Sequence, residues 1–97
     1  MINIYDSTYL IIPEKIIKDN TLTASDKLIF GKIYSLTKQG KYCWASNQYL
    51  ADYFNVTASH ISKSINRLKN RNYLYIDLDM SQKNNTKRKI YINYDSI

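Results

Sequence analysis

The apolar positions of this chain keep a helical spacing through its middle and change to strict alternation near its end, so two kinds of element follow one another. Before the first long helix, Tyr9-Leu10-Ile11-Ile12 reads as a short extended stretch running into Pro13. Residues 13–18 read as one or two helical turns, with Pro at the first position, where its missing N–H would be unpaired anyway. Thr23 followed by Asp26 has the form of an N-cap with an acid in the positive first turn. Behind it, Leu28, Ile29, Ile33 and Leu36 predict a long helix over residues 24–38 that turns those four side chains inward, with Gly40 as its C-cap. Lys41-Tyr42-Cys43-Trp44 is too short for more than a small strand or connector. Ser46 then caps a second helix over Asn47–Phe54, which turns Leu50, Ala51 and Phe54 inward.

Asn55-Val56-Thr57 is a tight junction: a residue that tolerates a left-handed turn, an apolar plug, and a hydroxyl that caps the next helix. Two helices joined so closely must cross steeply. In the third helix, Ala58–Asn70, the apolar residues Ile61, Ile65 and Leu68 form one narrow inward stripe. Ser59, Lys63, Asn66 and Asn70 project opposite it, and His60 and Arg67 share one flank. After Asn72 the period becomes two, with Leu74, Ile76 and Leu78 on one side and Tyr73, Tyr75 and Asp77 on the other. Residues 80–86 are polar, Asn84-Asn85 suits a turn, and residues 87–93 alternate again around Ile90 and Ile92. The chain therefore reads as one mainly α, α+β domain over residues 1–97: an N-terminal arm (1–22), a three-helix core (23–71) and a C-terminal β-hairpin (72–94).

Composition removes several alternatives. With two Gly and one Pro there is no linker or low-complexity tract, and no internal repeat is visible. No run approaches the roughly 20 apolar residues of a membrane span. The first twelve residues carry Asp6 and no basic residue, unlike a secretory leader, which points to a cytoplasmic protein. The single cysteine, Cys43, closes no internal disulfide and builds no thiolate metal site, so it reads as a packing residue. The formal net charge of +6 favours anionic partners, and its distribution says more than its size. Up to Phe54 six lysines face five acids, whereas from Asn55 onward eight Lys and Arg face three acids.

A helix that enters the major groove of B-DNA needs short polar side chains near its N-terminus and longer basic ones further along. The third helix has that order: Thr57, Ser59 and His60 come first, Lys63 and Arg67 follow at one-turn intervals, and its N-terminus is itself suited to a phosphate. Lys83, Lys87, Arg88 and Lys89 place further cations on the hairpin, where they would lie along the flanking backbone or minor groove. Ser46 and Asn47, at the start of the second helix, complete the candidate contacts to double-stranded DNA.

From about Tyr9 to Asn93 the pattern resembles the winged helix-turn-helix domains of replication initiators and small regulators of bacterial plasmids and phages. The residues that carry the likeness are Ile12-Pro13, Leu22-Thr23 with Lys27-Leu28, Ser46-Asn47 with Leu50-Ala51, Val56-Thr57, Ile61-Ser62, Ile65, Leu68, Tyr73-Leu74, and Arg88 with Ile90-Tyr91. The resemblance implies a DNA-contacting third helix and a wing, carried onto Thr57, Ser59, His60, Lys63, Arg67 and Arg88. Two positions depart from that pattern. Ala58 and Ser59 stand where such domains often place Arg, which weighs against tight base-specific readout and leaves sequence-specific and semi-specific binding both open, and Asn72 replaces the usual Gly before the hairpin. The implied role is that of a small regulator or replication-accessory protein of a mobile element.

Another class of function competes with this one. Ten Tyr and Trp44 would suit a winged helix used as a protein-binding inhibitor or anti-repressor, since aromatics are enriched at interface cores. Coding bias in an AT-rich genome explains the same tyrosines. An enzyme is not expected: His60 is the only His, no Gly-rich phosphate loop exists, and Asp77 and Asp79 have no third metal ligand near them in sequence. No cofactor or metal is implied. The apolar arm, with Ile2, Ile4, Tyr5, Tyr9, Leu10 and Ile11, is the natural place for a homodimer contact.

Overall fold

The structure, a computed structural model, describes residues 9–37, 41–79 and 87–97. A short helical turn, α1 (Glu14–Ile17), precedes three helices, α2 (Ala24–Thr37), α3 (Asn47–Phe54) and α4 (Ala58–Asn70). An antiparallel hairpin, β1 (Leu74–Asp79) and β2 (Lys87–Ile92), follows them, and a 3-10 turn closes the chain at Tyr94–Ser96. This is the mainly helical core with a C-terminal hairpin that the periodicities predict, arranged as a winged helix-turn-helix.

The helix starts are set by local chemistry. Thr23 and Asp26 cap α2 reciprocally: the Asp26 N–H donates to Thr23 Oγ1 at 3.0 Å, and the Thr23 N–H to Asp26 Oδ2 at 3.0 Å. Ser46 Oγ accepts from the Tyr49 N–H at 3.0 Å, and Thr57 Oγ1 from the His60 N–H at 3.0 Å. Between α3 and α4 the chain turns through Asn55, at φ 58° and ψ 47°, and the Val56 N–H closes on the Ala51 carbonyl at 3.0 Å. Asn72, at φ 65°, makes the corresponding turn into the hairpin, which is why Asn serves there where Gly is usual. Gly40, the expected C-cap of α2, lies outside the described residues.

The core is built from Ile16, Leu22, Ile29, Phe30, Ile33, Leu50, Ile61, Leu68 and Leu74, with Ile90 and Ile92 closing it from β2. Two expectations about facing are corrected. Leu28 is exposed, because the buried stripe of α2 runs Asp26, Ile29, Phe30, Ile33 and Thr37, and a helix that faces those inward turns Leu28 out. Tyr73 is buried instead of sharing the outer side with Tyr75, since it still belongs to the turn after Asn72 and precedes β1. Along β1, Leu74 is buried, Ile76 half-buried and Leu78 exposed, so the strand leaves the helical core as it runs toward the hairpin tip. Gly31 is buried where the arm crosses α2: a Cβ there would stand 2.9 Å from Ile12 Cγ1 and 3.2 Å from Leu10 Cβ.

The connector before α3 reaches the free edge of β2. The Cys43 N–H donates to the Ile90 carbonyl at 2.7 Å and the Ile90 N–H to the Cys43 carbonyl at 2.9 Å. Cys43 is buried, which pushes its thiol pKa up, in keeping with a packing residue.

Candidate nucleic-acid interface

Helices α3 and α4, joined by the Asn55 turn, place one amphipathic helix on the outside of the molecule. Ile61, Ser64, Ile65 and Leu68 face the core, while Ser59, Lys63, Asn66, Lys69 and Asn70 are exposed. The helix holds no acid, so its outer face offers short donors near the N-terminus and cations further along. Thr57 and Ser59 stand exposed at its start, and the Thr57 hydroxyl is occupied in capping.

The flank of α4 differs from the groove-contacting role expected of it. Arg67 donates through Nε to Asp26 Oδ2 at 2.7 Å and through Nη2 to Asp26 Oδ1 at 2.8 Å, a bidentate pair that ties α4 to α2. Asp26 is fully buried; burial alone would raise its pKa, but hydrogen bonds from Arg67, Ser64 and the Thr23 N–H outweigh it and hold the carboxyl at about 2. The same pairing raises Arg67. His60 lies within 2.6 Å of Ser25 Oγ through Nε2, again a contact to α2. Both residues thus brace α4 against α2, and the outward set narrows to Ser59, Lys63, Asn66, Lys69 and Asn70.

A second carboxylate centre was not foreseen at all. Asp19 accepts from the Thr21 hydroxyl and N–H, from the Tyr73 hydroxyl at 2.6 Å and from Arg71 Nε at 3.1 Å. The Thr21 hydroxyl leads, the Tyr73 hydroxyl and the Thr21 N–H add to it, and together with Arg71 they outweigh burial, so the Asp19 carboxyl is held well below the usual range. The only local signal was the Asp-x-Thr spacing of an Asx turn. Its other partners lie 52 and 54 residues away, beyond what local patterning shows.

On the wing, Arg88 turns back onto α3 instead of outward. Its Nη1 donates to Asn47 Oδ1 and its Nη2 to the Ala45 carbonyl, both at 2.7 Å, so Asn47 is occupied by the same contact. Burial lowers the pKa of this guanidinium, and both of these partners are neutral acceptors, so among the described residues no carboxylate answers its charge. Lys89 Nζ lies 5.0 Å from the centroid of the Tyr42 ring. Ser46 is exposed and caps α3. Lys83 lies outside the described residues, and Lys87 is placed only by its register opposite Asp79.

Among the described residues no helix is long and apolar enough to cross a membrane, and no three His, Cys, Asp or Glu side chains gather where a metal ion would be held. Comparison with family models matches residues 20–74 to the family described as a helix-turn-helix domain, a span that runs from the link before α2 through α4 to the first residue of β1. No curated protein and no solved structure matches the chain.

Proposed function

The chain belongs to the helix-turn-helix domain family, and from that premise we propose that it binds double-stranded DNA with α4 in the major groove and the hairpin as a wing along the flanking backbone. The observation that carries this reading is the outer face of α4. Ser59, Lys63, Asn66 and Asn70 are exposed at groove-facing spacing, and no carboxylate on the helix opposes the phosphates. Thr57 and Ser46 cap the two helices of the motif, so the N-termini of α3 and α4 are ordered where a phosphate would approach. Arg67 and His60 support the reading indirectly, by holding α4 at a fixed angle to α2. On this reading the chain is a binding protein and not an enzyme, acting as a small regulator or replication-accessory protein of a mobile element, the role the sequence resemblance implies. Tyr9 and Ile11 are exposed on the arm, where a homodimer contact would extend the site across a palindrome.

The test is fluorescence anisotropy of a labelled random duplex across a series of salt concentrations. Affinity is expected to fall steeply with salt, and Lys63→Ala to reduce the slope of log K against log salt by about 1. Binding that is absent at low salt, or a Lys63→Ala slope equal to that of the unmodified protein, would refute the placement of α4 on DNA.

A further inference from the structure

The outward face of the hairpin carries an aromatic row that groove binding by α4 leaves unused. Strand alternation puts Tyr75 and Asp77 of β1 on that face, opposite Tyr91 and Lys89 of β2. The Cys43–Ile90 bridge extends the face by one more strand, setting Tyr42 beside Tyr91 and Trp44 beside Lys89. The Tyr42 and Tyr91 rings are 5.9 Å apart, and Trp44 is held by the edge of Tyr49 with centroids 5.1 Å apart. Trp44 and Tyr75 remain 58% and 56% exposed, a large apolar area for side chains that the core does not use.

At the edge of this face a cleft of about 820 Å³ opens between the hairpin and the start of α3, walled by Tyr42, Trp44 and Lys89 from this face and by Leu78, Arg88 and Asn47 from the other side. Its two cations close on no carboxylate among the described residues. The ion pairs among the described residues are Lys18–Glu14, Arg67–Asp26 and Arg71–Asp19; Arg88 meets only neutral acceptors, and Lys89 rests on the Tyr42 ring instead of closing on Asp77. A purely apolar ligand would leave both charges unanswered, and a simple anion would leave the rings bare. A group with a flat π face and a negative charge a few ångströms away answers both. A duplex hides its base faces in the stack, whereas a single strand exposes them.

We propose that this face binds single-stranded nucleic acid, with an unpaired base stacked on Trp44 and Tyr42 and its phosphate held by Lys89, while Arg88 adds charge from the far wall of the cleft. The site shares the hairpin with the proposed wing but uses none of the outer face of α4, so it goes beyond the duplex reading and can fail separately from it.

Trp44 is the only tryptophan, so fluorescence excited on the red edge of tyrosine absorption reports on this face alone. The purified chain is titrated with oligothymidylate, with oligouridylate and with a blunt duplex, each of about twelve nucleotides per strand, within the site size of such grooves. Saturable quenching is expected with at least one single strand, and the two strands together show whether deoxyribose or ribose is preferred. Tyr42→Ala should weaken it roughly five- to a hundred-fold, the range set by loss of one stacked base, and Lys89→Ala should weaken it and flatten its salt dependence. Trp44→Leu, read by anisotropy of a labelled strand, should show a loss in the same range, and circular-dichroism melts establish that each variant is folded. Lys89→Ala, at a half-buried side chain in no ion pair among the described residues, keeps the test open if Tyr42→Ala fails to fold. Lys63→Ala should leave quenching unchanged while weakening duplex binding. No quenching by either single strand would overturn the proposal. So would inorganic polyphosphate, or a blunt duplex in the Lys63→Ala protein, that quenches Trp44 with the affinity of the single strands, because charge alone would then suffice.

Discussion

Replacing Arg67 by Ala separates a brace from a base contact. In the native fold the Asp26 carboxylate is fully buried and receives two charge-assisted bonds of 2.7 and 2.8 Å from Arg67, whose side chain is 41% exposed. Removing one partner of a buried pair costs about 3–5 kcal/mol, because the other charge is left desolvated. The partial exposure of Arg67 lets water reach one side of the pair, and that screening brings the expected loss to roughly 2–3 kcal/mol. For a domain of this size the loss corresponds to a fall in melting temperature of about 10–20 °C. It depends on pH in a definite direction. Without Arg67, burial raises the Asp26 carboxyl, and protonating it relieves the penalty, so the gap between variant and wild type narrows as pH falls from 7 toward 3. Asp26→Asn combined with Arg67→Ala should cost less than the two single changes added together. Urea denaturation of the four proteins at pH 7 and pH 3 measures all of this, and duplex anisotropy well below the melting transition should show Arg67→Ala within about two-fold of wild type. Unchanged stability at pH 7 with a large loss of duplex affinity would refute the brace and return Arg67 to the groove.

Three other perturbations follow from the same geometry. Asp26 is held at about 2 against an ordinary 3.8, and a carboxyl depressed on folding contributes stability that is present above the ordinary value and lost as pH falls through the native one; Asp19 acts in the same direction. The urea midpoint should therefore hold above pH 4 and drop steeply from pH 4 to pH 2, with Asp26 alone contributing roughly 1–2 kcal/mol after allowance for screening. A midpoint that is flat across that window would mean the carboxylates are not paired as described. Gly31→Ala gains about 1 kcal/mol of helix propensity but sets a methyl 2.9 Å from Ile12 Cγ1, so calorimetry should show a net loss of up to about 2 kcal/mol; a gain in melting temperature would show that the arm does not cross α2 there. Arg71→Ala should leave the salt slope of duplex binding unchanged, since its charge already faces Asp19; a slope reduced by about 1 would place Arg71 on a phosphate.

Elements whose signals are local were legible in the sequence to within a residue. The caps at Thr23, Ser46 and Thr57, the left-handed Asn55 and the helices they bound needed only neighbours three or four positions away. The hairpin was readable for the same reason. What could not be read was the destination of long polar side chains. His60 and Arg67 sit on the flank of α4, Arg71 just past its end and Arg88 on the Ile90 side of β2, and each bends to a partner 35 to 52 residues away. Helical periodicity fixes where a Cβ points; it does not fix where a guanidinium four bonds further on will find an acceptor. Leu28 shows the complementary failure. Its hydrophobicity fitted the helical period, but so did Phe30 and Asp26, and a carboxylate that an arginine can satisfy took the inward position.

That sorting of charges bears on how the net charge of +6 should be understood. Of the basic residues after Asn55, Arg67 and Arg71 are matched to carboxylates drawn from the first half of the chain, so the apparent asymmetry between the halves is partly cancelled in space. Among the described residues after Asn55, the cations without a carboxylate partner fall into two groups set on different elements: Lys63 and Lys69 on the outer face of α4, and Arg88 with Lys89 on the hairpin. The first group has short amides and a hydroxyl around it, suited to base edges and phosphates in a groove. The second has rings around it, suited to a base taken out of its stack. A chain that merely needed solubility would have no reason to tie two cations to buried carboxylates and divide others between two such different surroundings. Protecting α4 with Lys63 intact and the hairpin with Lys89 intact are then separable tasks, which is what the Lys63→Ala and Lys89→Ala comparison measures.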